Sequence, residues 1–205
     1  FSNDKTMEYY FKSNILNFNK LSDALSLLVS KNLKSQEINE ENIIHDVGIA
    51  FTNKDIIDAI EEDINEIYYK DPACNYLFQP LLFYKGFQAL QAHRVANYWT
   101  KEKLGFSMYI QSIVSEKFNV DIHPSAEIGK GIMIDHASGV VIGETARVGD
   151  YCSIFHGVTL GGVGAEKGQR HPQVGKNVLL SANSTIVGNI KIGDNTKIGA
   201  GSVVL

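Results

Sequence analysis

Residues 173–205 read QVGKNVLLSANSTIVGNIKIGDNTKIGAGSVVL. An aliphatic residue recurs at every sixth position of this stretch, namely at Val174, Leu180, Ile186, Ile192, Ile198 and Val204. Neither an α-helix nor an alternating β-strand has a period of six residues. A parallel β-helix does, because each short strand buries one aliphatic side chain before the chain bends to the next face. The stretch therefore predicts a β-solenoid, in which three strands complete a coil of about 18 residues.

The same period continues toward the N-terminus as far as residue 120. Its earlier members are Ile122, Ile128, Ile134, Ile142, Val148, Ile154 and Leu160. The chain contains 18 glycines and only 4 prolines, and 15 of the glycines follow Asn119. Small residues permit the bends between the strands of a solenoid. We therefore predict that residues 120–205 form a parallel β-helix domain of roughly five coils.

Residues 1–119 have a different pattern, in which apolar residues recur at helical spacing. The clearest example is the isoleucine stripe over 56–67, which follows a candidate N-cap at Asn53. The spacing also predicts a long helix over 81–103 and another over 106–118. The predicted fold class is therefore α+β, with an all-α N-terminal domain followed by the parallel β-helix.

The composition disfavours several functional classes. The formal net charge of the 205-residue chain is −4, which argues against binding to a phosphate backbone. Cys74 and Cys152 are too few for a disulfide framework, so we expect a reduced, cytoplasmic setting. The sequence has no run of about 18 apolar residues, and its N-terminus lacks the pattern of a signal peptide.

Two interruptions break the six-residue period. The spacing lengthens to eight residues after Ile134 and to 14 residues after Leu160. Insertions into a solenoid form loops, and loops often carry functional residues. The first interruption contains His136, and the second contains Arg170 and His171. We therefore expect the chemistry of the protein at these two places.

His136 has a candidate partner in Asp121, which stands 15 positions earlier. This offset is close to one coil, so the two side chains could meet across a corner of the solenoid. A carboxylate fixes the tautomer of an adjacent imidazole, and a histidine oriented in this way can take a proton from a hydroxyl near neutral pH. Alternatively, His136 is a turn residue with a structural hydrogen bond, and Asp121 is a cap.

Arg170 and His171 also admit two interpretations. The guanidinium of an arginine matches a carboxylate in shape and charge, which indicates an anionic small-molecule substrate. Alternatively, the insertion is a solvated loop with ordinary charges. His123 and His156 add two further imidazoles, but no pair of histidines has the close spacing of a zinc motif, so we predict no metal site.

Several longer motifs are more specific than the repeat itself. They are Asp121-Ile122-His123-Pro124, Asp135-His136-Ala137, Arg170-His171-Pro172, Asp71-Pro72-Ala73 and, over residues 81–91, LLFYKGFQALQ. Together they resemble the serine acetyltransferases of the hexapeptide-repeat acyltransferase superfamily. The likeness extends from about Ile67 to Leu205, whereas hexapeptide repeats alone would indicate only the broad superfamily.

The resemblance implies a left-handed β-helix that assembles as a homotrimer, or as a dimer of trimers, with active sites between neighbouring subunits. It implies transfer of the acetyl group of acetyl-CoA to the hydroxyl of L-serine, which gives O-acetyl-L-serine and CoA for cysteine biosynthesis. Acetyl-CoA is then a co-substrate, and no permanently bound cofactor is expected. L-cysteine is the expected feedback inhibitor.

The resemblance also assigns roles to individual residues. His136 would be the general base and Asp121 its orienting partner, and the serine hydroxyl would attack the thioester directly. Other residues would bind the two substrates. Asp71 and Asp135 would hold the ammonium of serine, Arg170 and His171 would take its carboxylate, and Gly162, Ala182, Lys197 and Ala200 would line the acetyl-CoA site. His156 departs from the family pattern, in which we expect an uncharged polar residue.

Members of the family continue beyond the position of Leu205 with more coil and a C-terminal tail. That tail binds cysteine synthase (O-acetylserine sulfhydrylase). Because this sequence stops within the repeat, we expect that its β-helix is truncated at the C-terminus and that the tail is absent.

Three other functions remain open on the sequence. The first is a hexapeptide acetyltransferase for another hydroxyl acceptor. The second is a γ-class carbonic anhydrase with interfacial histidines and zinc, and the third is a non-catalytic trimeric scaffold that binds a partner enzyme.

Overall fold

The computed structural model of the protein describes residues 4–164 and 167–205. The chain divides into two compact units between Ile57 and Asp58. In the first unit, α1 (Lys5–Phe11) continues as a π-helical segment (Lys12–Leu16) and is followed by α2 (Leu21–Leu33) and α3 (Glu40–Ala50). The core of this unit is built from aliphatic side chains, including Leu25, Leu28, Val29, Leu33, Ile43 and Val47.

The remaining helices are α4 (Lys54–Lys70), α5 (Gln79–Phe83), α6 (Lys85–Trp99) and α7 (Leu104–Phe118). The predicted N-cap of α4 is confirmed, because the side chain of Asn53 accepts hydrogen bonds from the backbone N–H groups of Asp55 (2.9 Å) and Ile56 (3.3 Å). In the described part of the chain, no helix combines the length and the apolar character that crossing a membrane requires.

The single helix predicted over 81–103 is wrong in two respects, because the segment contains two helices and the second ends at Trp99. The backbone of Tyr84 is extended (φ −96°, ψ 103°), so α5 and α6 are separate helices. At the start of α6, Gly86 packs so closely against the backbone of Ile134 that a Cβ atom would overlap the Ile134 carbonyl oxygen. The break at Tyr84 lets α6 begin at this contact.

Residues 120–205 form a parallel β-helix, as the six-residue period predicts, and it is left-handed, as the family resemblance implies. Its short strands pass in turn through three parallel sheets, whose orders are β1-β4-β7-β10-β13, β2-β5-β8-β11 and β3-β6-β9-β12. The strands are β1 (Val120–Ile122), β2 (Glu127–Ile128), β3 (Met133–Asp135), β4 (Val140–Ile142), β5 (Arg147–Val148), β6 (Ser153–Phe155), β7 (Thr159–Gly161), β8 (Gln173–Val174), β9 (Leu179–Leu180), β10 (Thr185–Val187), β11 (Lys191–Ile192), β12 (Lys197–Ile198) and β13 (Val203–Val204).

The register of the strands stacks the predicted aliphatic residues directly above one another. In the first sheet, Ile122 pairs with Ile142, Ile142 with Leu160, and Leu160 with Ile186. These side chains are almost completely buried, with exposures of 3% or less. The interior of the coil is therefore a set of aliphatic columns, one for each sheet, which explains why the period persists through the sequence.

The change from helix to strand occurs where the composition changes. Helix α7 ends at Phe118, Asn119 takes a left-handed conformation (φ 55°), and β1 begins at Val120. The compact units, however, divide inside α4, so that α5, α6 and α7 belong to the same unit as the coil. A domain boundary between 119 and 120 therefore stays a prediction.

A buried ion pair connects α4 and α6 to the first coil. The carboxylate of Asp63, which is fully buried, accepts hydrogen bonds from Arg94 Nη2 (2.7 Å), Gln91 Nε2 (3.1 Å) and the backbone N–H of Ile132 (2.8 Å). The guanidinium of Arg94 also donates to the carbonyl oxygen of Gly129 (2.8 Å). Two helices and the coil thus share one carboxylate.

We predict that Asp63→Ala strongly destabilises the protein. The substitution leaves a buried guanidinium without its anion, which typically costs about 3–5 kcal/mol of unfolding free energy. Urea unfolding at a fixed protomer concentration measures the change. The matched control is Arg147→Ala, since the ion pair of Arg147 with Glu127 is more than half exposed and such pairs contribute about 0–1 kcal/mol. Equal losses for the two variants would contradict the central role of Asp63.

Candidate active site

The first interruption of the period is a tight turn between β3 and β4. His136 (φ 56°) and Ala137 (φ 58°) both have left-handed backbones, which typically cost a non-glycine residue about 1–3 kcal/mol each. The backbone N–H of Ser138 donates to the carbonyl oxygen of His136 (2.7 Å), and that of Gly139 donates to Asn119 (2.7 Å). The side chain of His136 is 72% exposed at the tip of this turn. A strained backbone thus presents an accessible imidazole.

A cavity of about 750 Å³ lies beside this turn. This volume is in the range of small-molecule sites, which is roughly 300–1,000 Å³. The cavity brings together three of the predicted site residues, Asp71, Asp135 and His136, and we call it the acidic pocket. Its lining consists of Asp71, Ala73, Phe83, Tyr84, Lys85, Gly86, Ile134, Asp135, His136 and Ser138. One cavity therefore contains two carboxylates that can bind a cation and an imidazole that can accept a proton.

Asp71 is held in the acidic pocket by its own loop and by Tyr84. One oxygen of its carboxylate accepts a hydrogen bond from the backbone N–H of Ala73 (2.8 Å). The hydroxyl of Tyr84 bonds to the same carboxylate. Burial, and then the contact with Asp71, raise the pKa of Tyr84, so the phenol stays protonated and donates to Asp71. Asp135, in turn, lies 3.7 Å from Nε2 of His136.

Lys85 and Ser138 are pocket residues to which the sequence analysis assigned no role. The ammonium of Lys85 donates a hydrogen bond to the hydroxyl of Ser138. Lys85 is the first residue of α6, where the helix dipole disfavours a cation. A lysine at a helix N-terminus, inside a motif shared with a family, is the sequence signal that could have drawn attention to it.

The second interruption is anchored on the corner that follows β4. The backbone N–H of Arg170 donates to the hydroxyl oxygen of Thr145 (3.1 Å), and Nη2 of Arg170 bonds to Glu144 (2.7 Å). Nδ1 of His171 accepts from the backbone N–H of Thr145 (3.2 Å). The sequence analysis missed both Glu144 and Thr145. Residues 165 and 166 of this insertion lie outside the described residues.

His171 is almost entirely buried, with an exposure of 6%. Burial, followed by the charge of Arg170, lowers the pKa of His171. The side chain is therefore neutral near pH 7, and because Nδ1 is an acceptor, its proton is on Nε2. A Cβ atom on Gly143 would overlap the imidazole, so glycine at that position makes room for the ring.

The structure does not bring all predicted site residues together within one chain. In the part of the chain that the structure describes, neither a hydrogen bond nor an ion pair joins His136 to Arg170, His171 or Asp121. The carboxylate of Asp121 instead accepts a hydrogen bond from Nε2 of Gln111 (2.6 Å). The predicted contact of Asp121 with His136 across one corner is therefore absent from the single chain, and the role of Asp121 stays a prediction.

The predicted acetyl-CoA residues occupy two different corners of the coil. The register places His156 next to His136, Ala182 above His156 and Ala200 above Ala182. The ring centroids of His136 and His156 are 5.9 Å apart. We call this column the first corner, and Lys197 lies close to it on β12 with an exposed side chain. Gly162 lies away from this column, beside the imidazole of His171.

Comparison with known proteins identifies a family. The model described as "Serine acetyltransferase, N-terminal" matches residues 1–92, and the model "Bacterial transferase hexapeptide (six repeats)" matches residues 171–205. The serine acetyltransferase of Buchnera aphidicola subsp. Schizaphis graminum is 44% identical over 199 residues, which cover 96% of this chain and 76% of that protein.

Solved structures of similar proteins cover this chain completely. A Neisseria gonorrhoeae serine acetyltransferase in complex with serine has a TM-score of 0.95, 40% identity and 85% of its own chain covered. A Brucella abortus serine acetyltransferase in complex with coenzyme A has a TM-score of 0.96 and 39% identity, with 82% covered. A serine acetyltransferase in complex with cysteine has a TM-score of 0.96 and 41% identity, with 80% covered. By identity, coverage and shared fold, the chain belongs to the serine acetyltransferase family and is an acyltransferase.

Proposed function

We propose that the protein transfers the acetyl group of acetyl-CoA to the hydroxyl of L-serine. The products are O-acetyl-L-serine and CoA, and the ester then serves cysteine biosynthesis. The observation that carries this proposal is the acidic pocket, in which an exposed imidazole stands beside Asp71 and Asp135. Relatives that bind serine and coenzyme A agree with both substrates.

The chemistry needs one base and no covalent enzyme intermediate. The imidazole of His136 takes the proton of the serine hydroxyl as the oxygen attacks the thioester carbonyl. The tetrahedral intermediate then collapses, the C–S bond breaks, and the protonated imidazole returns the proton to the departing CoA thiolate. Asp71 and Asp135 bind the ammonium of serine, because two carboxylates offset the charge of a cation.

Arg170 and His171 bind the carboxylate of serine in this proposal. Within one chain they lie apart from the acidic pocket, so we propose that the pocket of one protomer meets Arg170 and His171 of a neighbouring protomer in a homotrimer. The neighbouring Asp121 would then orient His136. An assembly of this kind needs a contact surface between protomers.

The first sheet offers a suitable surface. Its outward side chains are largely uncharged, whereas those of the second sheet are mostly charged. The outward residues are Asp121, Val141, Thr159, Thr185 and Val203 in the first sheet, and Glu127, Arg147, Gln173 and Lys191 in the second. A sheet face with few charges is cheaper to desolvate on association. Pairing of two trimers through the helices would give the dimer of trimers.

Acetyl-CoA lies along the first corner in this proposal, which brings its thioester to His136. Ala182 and Ala200 are small residues that let the pantetheine arm approach the backbone, and the exposed ammonium of Lys197 suits a phosphate of CoA. A backbone N–H near Gly162 of the neighbouring protomer would stabilise the oxyanion, an effect of about 3–4 kcal/mol for single donors elsewhere.

L-cysteine is the proposed inhibitor. It differs from serine only in carrying a thiol in place of the hydroxyl, so the same carboxylates and guanidinium can bind it, and a relative has been solved with cysteine bound. Binding of cysteine synthase would involve a C-terminal tail beyond the repeat.

We predict that His136→Ala lowers kcat for serine acetylation by about 10²–10⁴-fold, which is the usual contribution of a general base. Release of CoA thiol from acetyl-CoA in the presence of L-serine measures the rate. The assembly and the binding of acetyl-CoA should be retained. The matched control is His45→Ala, which removes an exposed histidine of α3 and should have wild-type activity. Near-normal turnover by His136→Ala would exclude His136 as the base, and a wild-type protein without turnover would favour a scaffold.

We predict that Arg170→Ala mainly raises the KM for serine, because the carboxylate that it binds does not change during the reaction. Loss of a charge-assisted hydrogen bond corresponds to an increase of about 10- to 100-fold. Initial rates over a range of serine concentrations give kcat and KM separately. Arg147→Ala, which removes an exposed guanidinium on β5, serves as the control. An unaltered dependence on serine would remove Arg170 from the site.

A further inference from the structure

The imidazole of His136 makes few contacts that could stabilise the turn on which it lies. Within the described residues, the side chain of His136 makes only a 3.7 Å contact with Asp135 and a ring contact with His156. The direction of the imidazole in the chain is therefore set by the backbone of the turn. That backbone has two consecutive left-handed residues, His136 and Ala137, so the surrounding structure must hold it in place.

Lys85 is a side chain outside the turn that forms a hydrogen bond with it. Its ammonium donates a hydrogen bond to the hydroxyl of Ser138, two residues after His136. The backbone of Ser138 is bonded on both sides, because its N–H donates to His136 (2.7 Å) and its carbonyl oxygen accepts from Gly157 (2.9 Å). A displacement of the Ser138 side chain would therefore also displace the backbone of His136, to which the N–H of Ser138 is bonded.

The position of Lys85 is itself fixed against the coil. Gly86 packs against the backbone of Ile134 in β3, without room for a Cβ atom. The start of α6 therefore has one position relative to the strand that leads into the turn. Tyr84, on the other side of Lys85, bonds to Asp71. Three consecutive residues thus contact three parts of the acidic pocket. Tyr84 contacts Asp71, Lys85 contacts Ser138, and Gly86 contacts Ile134.

The charge of Lys85 does not serve the helix. A cation in the first turn of α6 opposes the helix dipole, and that turn contains no acidic residue to offset it. Lys85 instead lines the acidic pocket together with Asp71 and Asp135. The charge of Lys85 therefore does not stabilise α6, and we look for its role in the acidic pocket.

We propose that Lys85 is a positioning residue, which through Ser138 holds the strained turn of His136 in the conformation required for proton transfer. This inference rests on the proposed function of His136 as the general base. It assigns no contact between Lys85 and serine.

The test compares Lys85→Met with Ser138→Ala and with the double variant. Lys85→Met should lower kcat by about 10- to 100-fold, the effect of a small displacement of a catalytic group, with little change in the KM for serine. Ser138→Ala should have a similar effect, and the double variant should lose no more than the stronger single variant, because both remove the same contact. Lys85→Arg, which keeps a donor, should recover most of the rate. Lys191→Met, an exposed lysine of β11, is the control.

A second measurement reports on the turn without substrate. Hydrogen exchange of the amides of Ala137, Ser138 and Gly139 should be faster in Lys85→Met than in the wild type, with no change in the core strands. Unchanged exchange together with wild-type kcat would overturn the inference. So would a raised serine KM in Lys85→Met with a normal Ser138→Ala variant, because Lys85 would then bind the substrate directly. If the exchange responds but the wild type does not acetylate serine, the proposed function fails and the mechanical link between Lys85 and the turn stands.

Discussion

The carboxylate of Asp63 connects α4 and α6 to the β-helix, and the acidic pocket depends on that connection. Its hydrogen bonds reach Gln91 and Arg94 on α6 and the backbone N–H of Ile132, just before β3. Because α6 is held against the first coil in this way, its first residues lie against β3 and the turn that follows it. Desolvation of the Asp63 carboxylate is costly, and the hydrogen bonds from Gln91, Ile132 and both Nε and Nη2 of Arg94 offset part of this cost. A polar contact in the core thus determines where Asp71 lies relative to His136.

The β-helix could be predicted from the sequence because its main requirement is local. Each strand buries one aliphatic side chain, and the strand paired with it in the next coil buries another at the same position, as Leu160 and Ile186 do. The break between α5 and α6 could not be predicted in this way. The apolar residues keep their helical spacing across Tyr84, and the break precedes a close contact of Gly86 with Ile134, far along the chain.

The candidate site was predictable in its residue types and less so in its geometry. The interruptions of the period indicated His136 and Arg170, and the acidic pocket brings His136 together with Asp71 and Asp135. The sequence could not show that Arg170 lies at a different corner, bonded to Glu144, because the repeat determines the strands and not the path of the insertion after Leu160. The contact of Lys85 with Ser138 was not predicted, because inside the helix expected over 81–103 a lysine has the pattern of an ordinary surface residue.

In the proposed assembly, the acidic pocket of one protomer works with Arg170 and His171 of a neighbour. Mixed oligomers test it most directly: chains carrying His136→Ala and chains carrying Arg170→Ala are co-expressed with different tags, and oligomers containing both are assayed at serine concentrations far below KM. In a homotrimer that contains both chains, about one site in three should combine an intact His136 from one chain with an intact Arg170 from its neighbour, so roughly a third of the wild-type activity should return. Activity no higher than the average of the two separate variants would show that each site is built within a single chain, and would contradict the account.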